Sequence, residues 1–215
     1  RTETLEEMFD VAALLAHQPI PKGKRVAILT NAGGPGILAA DACEADGLEL
    51  PVLSEATRAE LRRFLPPAAS VTNPVDMLAS APAEHFARAL AIILKDENVD
   101  SVLTIFIPPL VTEPDAVAAA IAGVAPEANG KPILGIFMRA EGAPAALASI
   151  PSYAFPESAA RALARVTHYG AWRAQAVGDV PEFADVRADD LRPLVDEVLA
   201  RGGGWLTTDE ARRLL

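Results

Sequence analysis

The chain has 215 residues, 51% of them hydrophobic and 5% aromatic, enough to bury a core, which argues against disorder. Its formal net charge of -10 argues against a nucleic-acid partner, because phosphate binding wants a basic surface. No apolar run is long enough to span a bilayer, and no signal peptide is visible.

Over residues 4–16 the apolar side chains of Leu5, Met8, Phe9, Ala12 and Leu15 recur at helical spacing, with Glu6 and Glu7 in the first turn. Residues 25–30 form a short apolar run of the kind a buried parallel strand carries. A helix is predicted over 37–45, ending at Gly47, then a second strand over 48–53 and a helix over 54–65 with Ser54 as its N-cap. Residues 70–72 read as extended, and Pro82 starts a helix over 83–94. A third strand is predicted over 101–107. A helix follows over 112–124, where Thr112 and Asp115 resemble a capping box. A fourth strand over 132–138, a short helix over 143–148, a fifth strand over 152–155 and an amphipathic helix over 156–173 complete the pattern.

Strands alternating with helices imply an α/β fold: a doubly wound, flavodoxin-like, parallel five-stranded sheet flanked by helices. In that topology the ligand crevice lies at the carboxyl ends of the strands beside the switch point, so the loops at 31–36 and 108–112 should face it. Residues 1–173 form this domain, 174–190 a linker, and 191–215 a C-terminal helical extension. The extension is broken at Gly202-Gly203-Gly204 and restarted by a capping box of Thr207 and Glu210. Both ends read as cuts in a longer polypeptide.

The sharpest chemical feature is Thr30-Asn31-Ala32-Gly33-Gly34-Pro35-Gly36, set between a strand and a helix. Its glycines bare the backbone amides and allow positive φ, and the following helix points its positive end at the loop. Such a loop can hold a phosphate or a carboxylate through amides of Asn31, Ala32, Gly33, Gly34 and Gly36, or it can be a tight turn. It has neither the Walker nor the Rossmann spacing. The second feature is Asn73-Pro74-Val75-Asp76. Asp76 beside a phosphate cradle would repel the anion, so Asn73 and Asp76 read as residues that order the adjoining loop. Cys43, the single cysteine, cannot form an internal disulfide, which fits a reducing cytoplasm; among alanines it reads as buried filler. His17, His85 and His168 read as solvated or edge-packed. Metal-ligand spacing is absent, and no catalytic residue is assigned.

Thr4-Leu5-Glu6-Glu7-Met8-Phe9-Asp10 and the run from Pro21 to Gly36 resemble the ADP-forming acyl-CoA synthetases, relatives of succinyl-CoA synthetase. Asn73-Pro74-Val75-Asp76 and Phe155-Pro156-Glu157 match the same family in order, so the resemblance covers about residues 4–172. It implies a parent enzyme with a CoA-binding domain, two flavodoxin-like domains and an ATP-grasp module, using CoA, ATP or ADP, and Mg. A phosphohistidine on the other flavodoxin-like domain carries the phosphoryl group between sites. This chain resembles the second flavodoxin-like domain, with the helix opening at Gly34 to Gly36 facing that histidine and residues 207–215 leading into the ATP-grasp module. The fragment itself binds no cofactor and is inactive alone. The alternative is an acyl-CoA-sensing regulatory module of a GNAT-fused protein lysine acetyltransferase.

Overall fold

The computed structural model describes residues 1–109, 112–138, 144–147, 149–179 and 188–214. The chain divides into two compact units, Arg1–Gln175 and Ala176–Leu215.

The first unit is built on a five-stranded sheet in the order β2-β1-β3-β4-β5. The strands are β1 (Val26–Thr30), β2 (Val75–Asp76), β3 (Ser101–Phe106), β4 (Ile133–Phe137) and β5 (Ser152–Tyr153), and every pairing is parallel. β1, β3 and β4 are buried along their whole length, as continuous Val, Ile and Leu runs require when helices cover both faces. Among the described residues the α-helices of this unit are α1 (Leu5–His17), α2 (Gly33–Ala45), α3 (Glu55–Arg62), α4 (Ala83–Leu94), α5 (Pro114–Val124) and α6 (Pro156–Arg173). Strand alternation divides the core in two. Ala27, Leu29, Val102 and Phe106 pack with α3, α4 and α5, whereas Val26, Ile28, Leu103 and Ile105 pack with α1, α2 and α6. The fold is the expected flavodoxin-like α/β sheet, and its switch point lies where β1 pairs with both β2 and β3.

The second strand is not where the sequence places it. In the run 48–53 only Glu49 reaches the sheet, as an isolated parallel bridge to Arg25. The strand beside β1 is instead Val75–Asp76, within the Asn-Pro-Val-Asp motif. The fifth strand stops at Tyr153, because Phe155 is already the N-cap of α6 and Pro156 fills its first turn. Thr112 caps nothing: α5 starts at Pro114 with Glu113 at the cap, and the Thr112 hydroxyl reaches the Ala81 carbonyl at 3.5 Å. Ser54 does cap α3, accepting the Thr57 N–H. Of the short helix over 143–148, the described part is a 3-10 turn at Ala145–Leu147; residues 143 and 148 lie outside the described residues.

The second unit holds α7 (Ala188–Ala200) and α8 (Thr208–Leu214). α7 begins before Leu191, with Asp189 and Asp190 in its first turn. Ahead of α8 the expected reciprocal cap forms: Thr207 N–H donates to Glu210, and Glu210 N–H donates to the Thr207 hydroxyl at 3.3 Å. Arg201 pairs with the same carboxylate, and these donors hold Glu210 down at about 2.

Candidate functional site at the amino end of α2

At the carboxyl end of β1 a hydroxyl turns the chain. Thr30 Oγ1 accepts the Ala32 N–H and donates to the Ala32 carbonyl, both at 3.0 Å. α2 then starts at Gly33, four residues before the predicted helix. Glycines here permit positive φ, but none of Gly33, Gly34 and Gly36 is among the positive-φ residues. They form the helix's first turn and permit close approach instead. A Cβ on Gly36 would lie 3.1 Å from Thr30 Cγ2 and 3.5 Å from Pro74 Cβ. One on Gly33 would lie 3.1 Å from an Asp76 carboxylate oxygen, whereas one on Gly34 would meet nothing within 4 Å.

The N–H groups of residues 32–36 are not equally open to an anion. That of Ala32 is held by Thr30. Gly36 is buried and donates to the Ala32 carbonyl at 3.3 Å. Pro35 has none. Gly33 and Gly34 are exposed, and their N–H groups precede any intrahelical acceptor. Among the described residues no side chain caps them. Among the helices α1 to α8, α2 alone has no acid in its first turn, so its positive end is not compensated from within.

Asn31 is 2% exposed and spends its side chain on structure. Its amide accepts the Ile107 N–H and donates to the Ile107 carbonyl, both at 2.9 Å. This clamps the ends of β1 and β3 together beyond their last ladder pair, Thr30↔Ile105. Asn73 orders a strand edge rather than the glycine loop. Its Oδ1 accepts the Ile28 N–H at 2.9 Å, and its Nδ2 donates to Val26 at 2.8 Å and to Pro51 at 3.2 Å. Along that edge of β1, Glu49 accepts the Val26 N–H below, and Met77 donates to Thr30 above. The Asn73 amide thus stands in for the missing stretch of strand. The Asn73-Pro74 peptide bond is cis.

Asp76 flanks this turn. Its Oδ1 accepts the Leu78 N–H at 2.9 Å, and Leu78 takes a left-handed φ of 70°. Its other oxygen faces Gly33, where it sits as a negative charge beside the open amides. A flanking feature was not read from the sequence: Ile37 and Leu38, one turn along α2, are 60% and 49% exposed, so an apolar shoulder adjoins the exposed glycines.

Other candidates serve the fold. Cys43 is fully buried, and burial pushes its thiol up to about 12, which leaves no nucleophile. His85 packs edge-on against Phe64, and the His17 Nδ1 lies 2.9 Å from the Ala13 carbonyl. His168 is exposed on α6. Among the described residues no group of three or more His, Cys, Asp or Glu is placed to hold a metal, and no helix is long and apolar enough to cross a membrane. One open cleft is lined by Ser54, Asp96 and Asn98 and another by His17, Asn129 and Lys131; neither includes a residue of the α2 turn. Residues 110–111 of the expected crevice loop lie outside the described residues.

The profile of the ligase-CoA domain family matches residues 26–149. The chain belongs to this family. Over 167 residues this ligase-CoA domain is 45% identical to the alpha subunit of an ADP-forming acetate–CoA ligase II of Pyrococcus furiosus, covering 74% of the chain and 36% of that subunit. Over 207 residues it is 36% identical to an ADP-forming acetate–CoA ligase I of Archaeoglobus fulgidus, covering 93% of the chain and 29% of the relative. It also resembles the solved dinucleotide forming acetyl-coenzyme A synthetase 1 of Ca. Korarchaeum cryptofilum in complex with phosphate and ADP. The TM-score is 0.72 at 29% identity, over 82% of this chain and 40% of that one. The chain therefore spans about a third of the length of these relatives.

Proposed function

We propose that this ligase-CoA domain belongs to an ADP-forming acid–CoA ligase and presents the amino end of α2 to a phosphorylated group. The whole enzyme joins an acid to CoA with cleavage of ATP to ADP and phosphate, through a phosphohistidine on another flavodoxin-like domain. CoA, the nucleotide and Mg are held by that domain's neighbours, the CoA-binding domain and the ATP-grasp module, in the same protein or a partner subunit. The residues here fit only an anion, through the N–H groups of Gly33 and Gly34. Asn31 and Thr30 set the turn that aims these groups. A reducing cytoplasm is the compartment that suits the single buried thiol.

One observation carries this reading: two exposed donors at a helix start that no described side chain caps and whose own first turn holds no acid, at the switch point of the sheet. The names of the relatives support the ligase over the acetyltransferase-fused alternative, which no feature of the site favours.

The test is a titration with inorganic phosphate, following backbone amide shifts by NMR. Saturable shifts at Gly33 and Gly34, abolished by Gly34→Val, are the expected result. A Cβ at Gly34 meets nothing within 4 Å, so that variant should keep its fold. Absence of shifts both here and in the longer protein would refute the assignment. Turnover of acetyl-CoA with ADP and phosphate by this chain alone would show the site to be complete, against the reading.

A further inference from the structure

α1 carries its apolar stripe on the wrong side for a helix that belongs to one core. Leu5, Met8, Phe9 and Leu15 are 72%, 43%, 66% and 41% exposed, and Ala12 is exposed between them. The inward face holds Leu14 and Glu7 instead. Glu7 accepts from Arg165 Nε of α6 at 2.6 Å and from the Glu3 N–H at 2.6 Å. These donors hold its carboxyl below the usual carboxylate range. Tyr153 donates to the Asp10 carbonyl at 3.1 Å, and the Gln18 side chain accepts the Ile133 N–H at 2.9 Å. The helix is pinned in this rotation and cannot turn its stripe inward.

α6 shows what such a stripe is for. Counted from each helix start, Leu5, Met8, Phe9, Ala12 and Leu15 occupy the same positions as Pro156, Ala159, Ala160, Leu163 and Val166. All five of those α6 residues are buried, and four of them share a cluster with Leu103, Ile105, Leu134 and Ile136 of the sheet. Both helices also begin after an extended N-cap. α1 thus has the register of a helix that closes a parallel sheet, but the sheet it would close is not that of this domain. Four large apolar side chains in a row exceed the scattered exposure that soluble surfaces carry. The relatives are about three times as long as the matched segment, so they hold further domains that could supply a sheet.

We propose that α1 is shared between two α/β domains, with Glu7 and Leu14 against α6 here and the Leu5–Leu15 stripe seated on the apolar face of a parallel sheet in a second domain of the longer protein. This stands whether or not Gly33 and Gly34 bind an anion. The partner surface is one of Val, Ile and Leu side chains, since a parallel sheet offers little else.

The test is covalent footprinting of Met8 and Phe9, run on the 215-residue chain and on the longer protein, with buried Leu14 as internal standard. In this chain, labelling at Met8 and Phe9 is expected to be strong and independent of concentration. In the longer protein it is expected to fall to the level of Leu14. Phe9→Glu should leave the melting temperature of this chain unchanged and lower that of the longer protein. Two results would overturn the proposal. One is a stripe that stays labelled in the longer protein. The other is protection in this chain alone that grows with concentration and is lost on Phe9→Glu, which would make the occupant a second copy.

Discussion

Replacing Asn73 by Ala tests whether a side-chain amide can stand in for a strand. The substitution removes the partners of the Ile28 N–H and the Val26 carbonyl, both on residues with no exposed surface. An orphaned buried backbone group costs about 1–3 kcal/mol. Two such groups give a loss of about 3 kcal/mol once water entering beside the half-buried site is allowed for. For a domain of this size that corresponds to a fall in melting temperature of about 6–12 °C. Thermal melting and urea denaturation measure the total, and hydrogen exchange at the Ile28 amide locates it. Asn73→Asp sharpens the argument. A carboxylate still accepts from Ile28 but turns negative oxygens on the Val26 and Pro51 carbonyls, so at neutral pH it should destabilise at least as much as Ala. That loss should shrink in acid, where a protonated carboxyl can donate again. A melting temperature within about 2 °C of the parent for Asn73→Ala, with Ile28 still protected, would refute the mechanism.

Three further outcomes are expected. Gly36→Ala should destabilise by about 1–2 kcal/mol, because its Cβ is pressed on Thr30 Cγ2 at 3.1 Å, whereas Gly34→Ala should be nearly neutral; paired thermal melts decide it. Asp76→Asn keeps an acceptor for the Leu78 N–H and removes a charge beside Gly33. Phosphate should then bind about fivefold tighter, from about 1 kcal/mol of relieved repulsion, and weaker binding in the same titration would contradict that. The Asp100 carboxyl is held below the usual carboxylate range chiefly by Arg25, at 2.8 Å. A depressed folded value means that this stabilisation is present above the ordinary aspartate range and is lost as pH falls through the depressed value. Asp100→Asn should therefore lose stability at neutral pH and show a shallower acid slope, read from urea midpoints below about pH 4.

β1, β3 and β4 were legible because strands buried on both faces carry unbroken apolar runs, and Gly, Pro and Asn mark their ends. The second strand was not. Residues 48–53 look like a strand, whereas Val75 and Asp76 are too few to show any period. The start of α2 was hidden by its composition: three glycines and a proline in four consecutive positions read as a loop, although Pro is at home in a first turn. The anion loop was readable as a motif, but which amides remain open was not, since that depends on Thr30 Oγ1 and on helix geometry. Asn31 and Asn73 act through contacts 76 and 45 residues distant in sequence, and no local pattern announces them. The helical spacing of Leu5, Met8, Phe9, Ala12 and Leu15 matches α1 and the register of its apolar stripe. Which way that stripe points is a tertiary fact, decided by Glu7 with Arg165.

The abbreviated ends of the sheet bear on how this chain behaves in a crowded solution. Its outermost strands, β2 and β5, are two residues each, and the rest of the β1 flank is closed by Glu49 and a side-chain amide. Among the described residues an intruding strand finds almost no run of unpaired backbone to copy. The longest apolar strands lie in the middle, out of reach until the domain opens. Protection against fibrillar self-assembly therefore rests on few atoms, and Asn73 holds several of them: losing its amide would uncover part of β1, one of the most hydrophobic segments in the chain, at the sheet's margin.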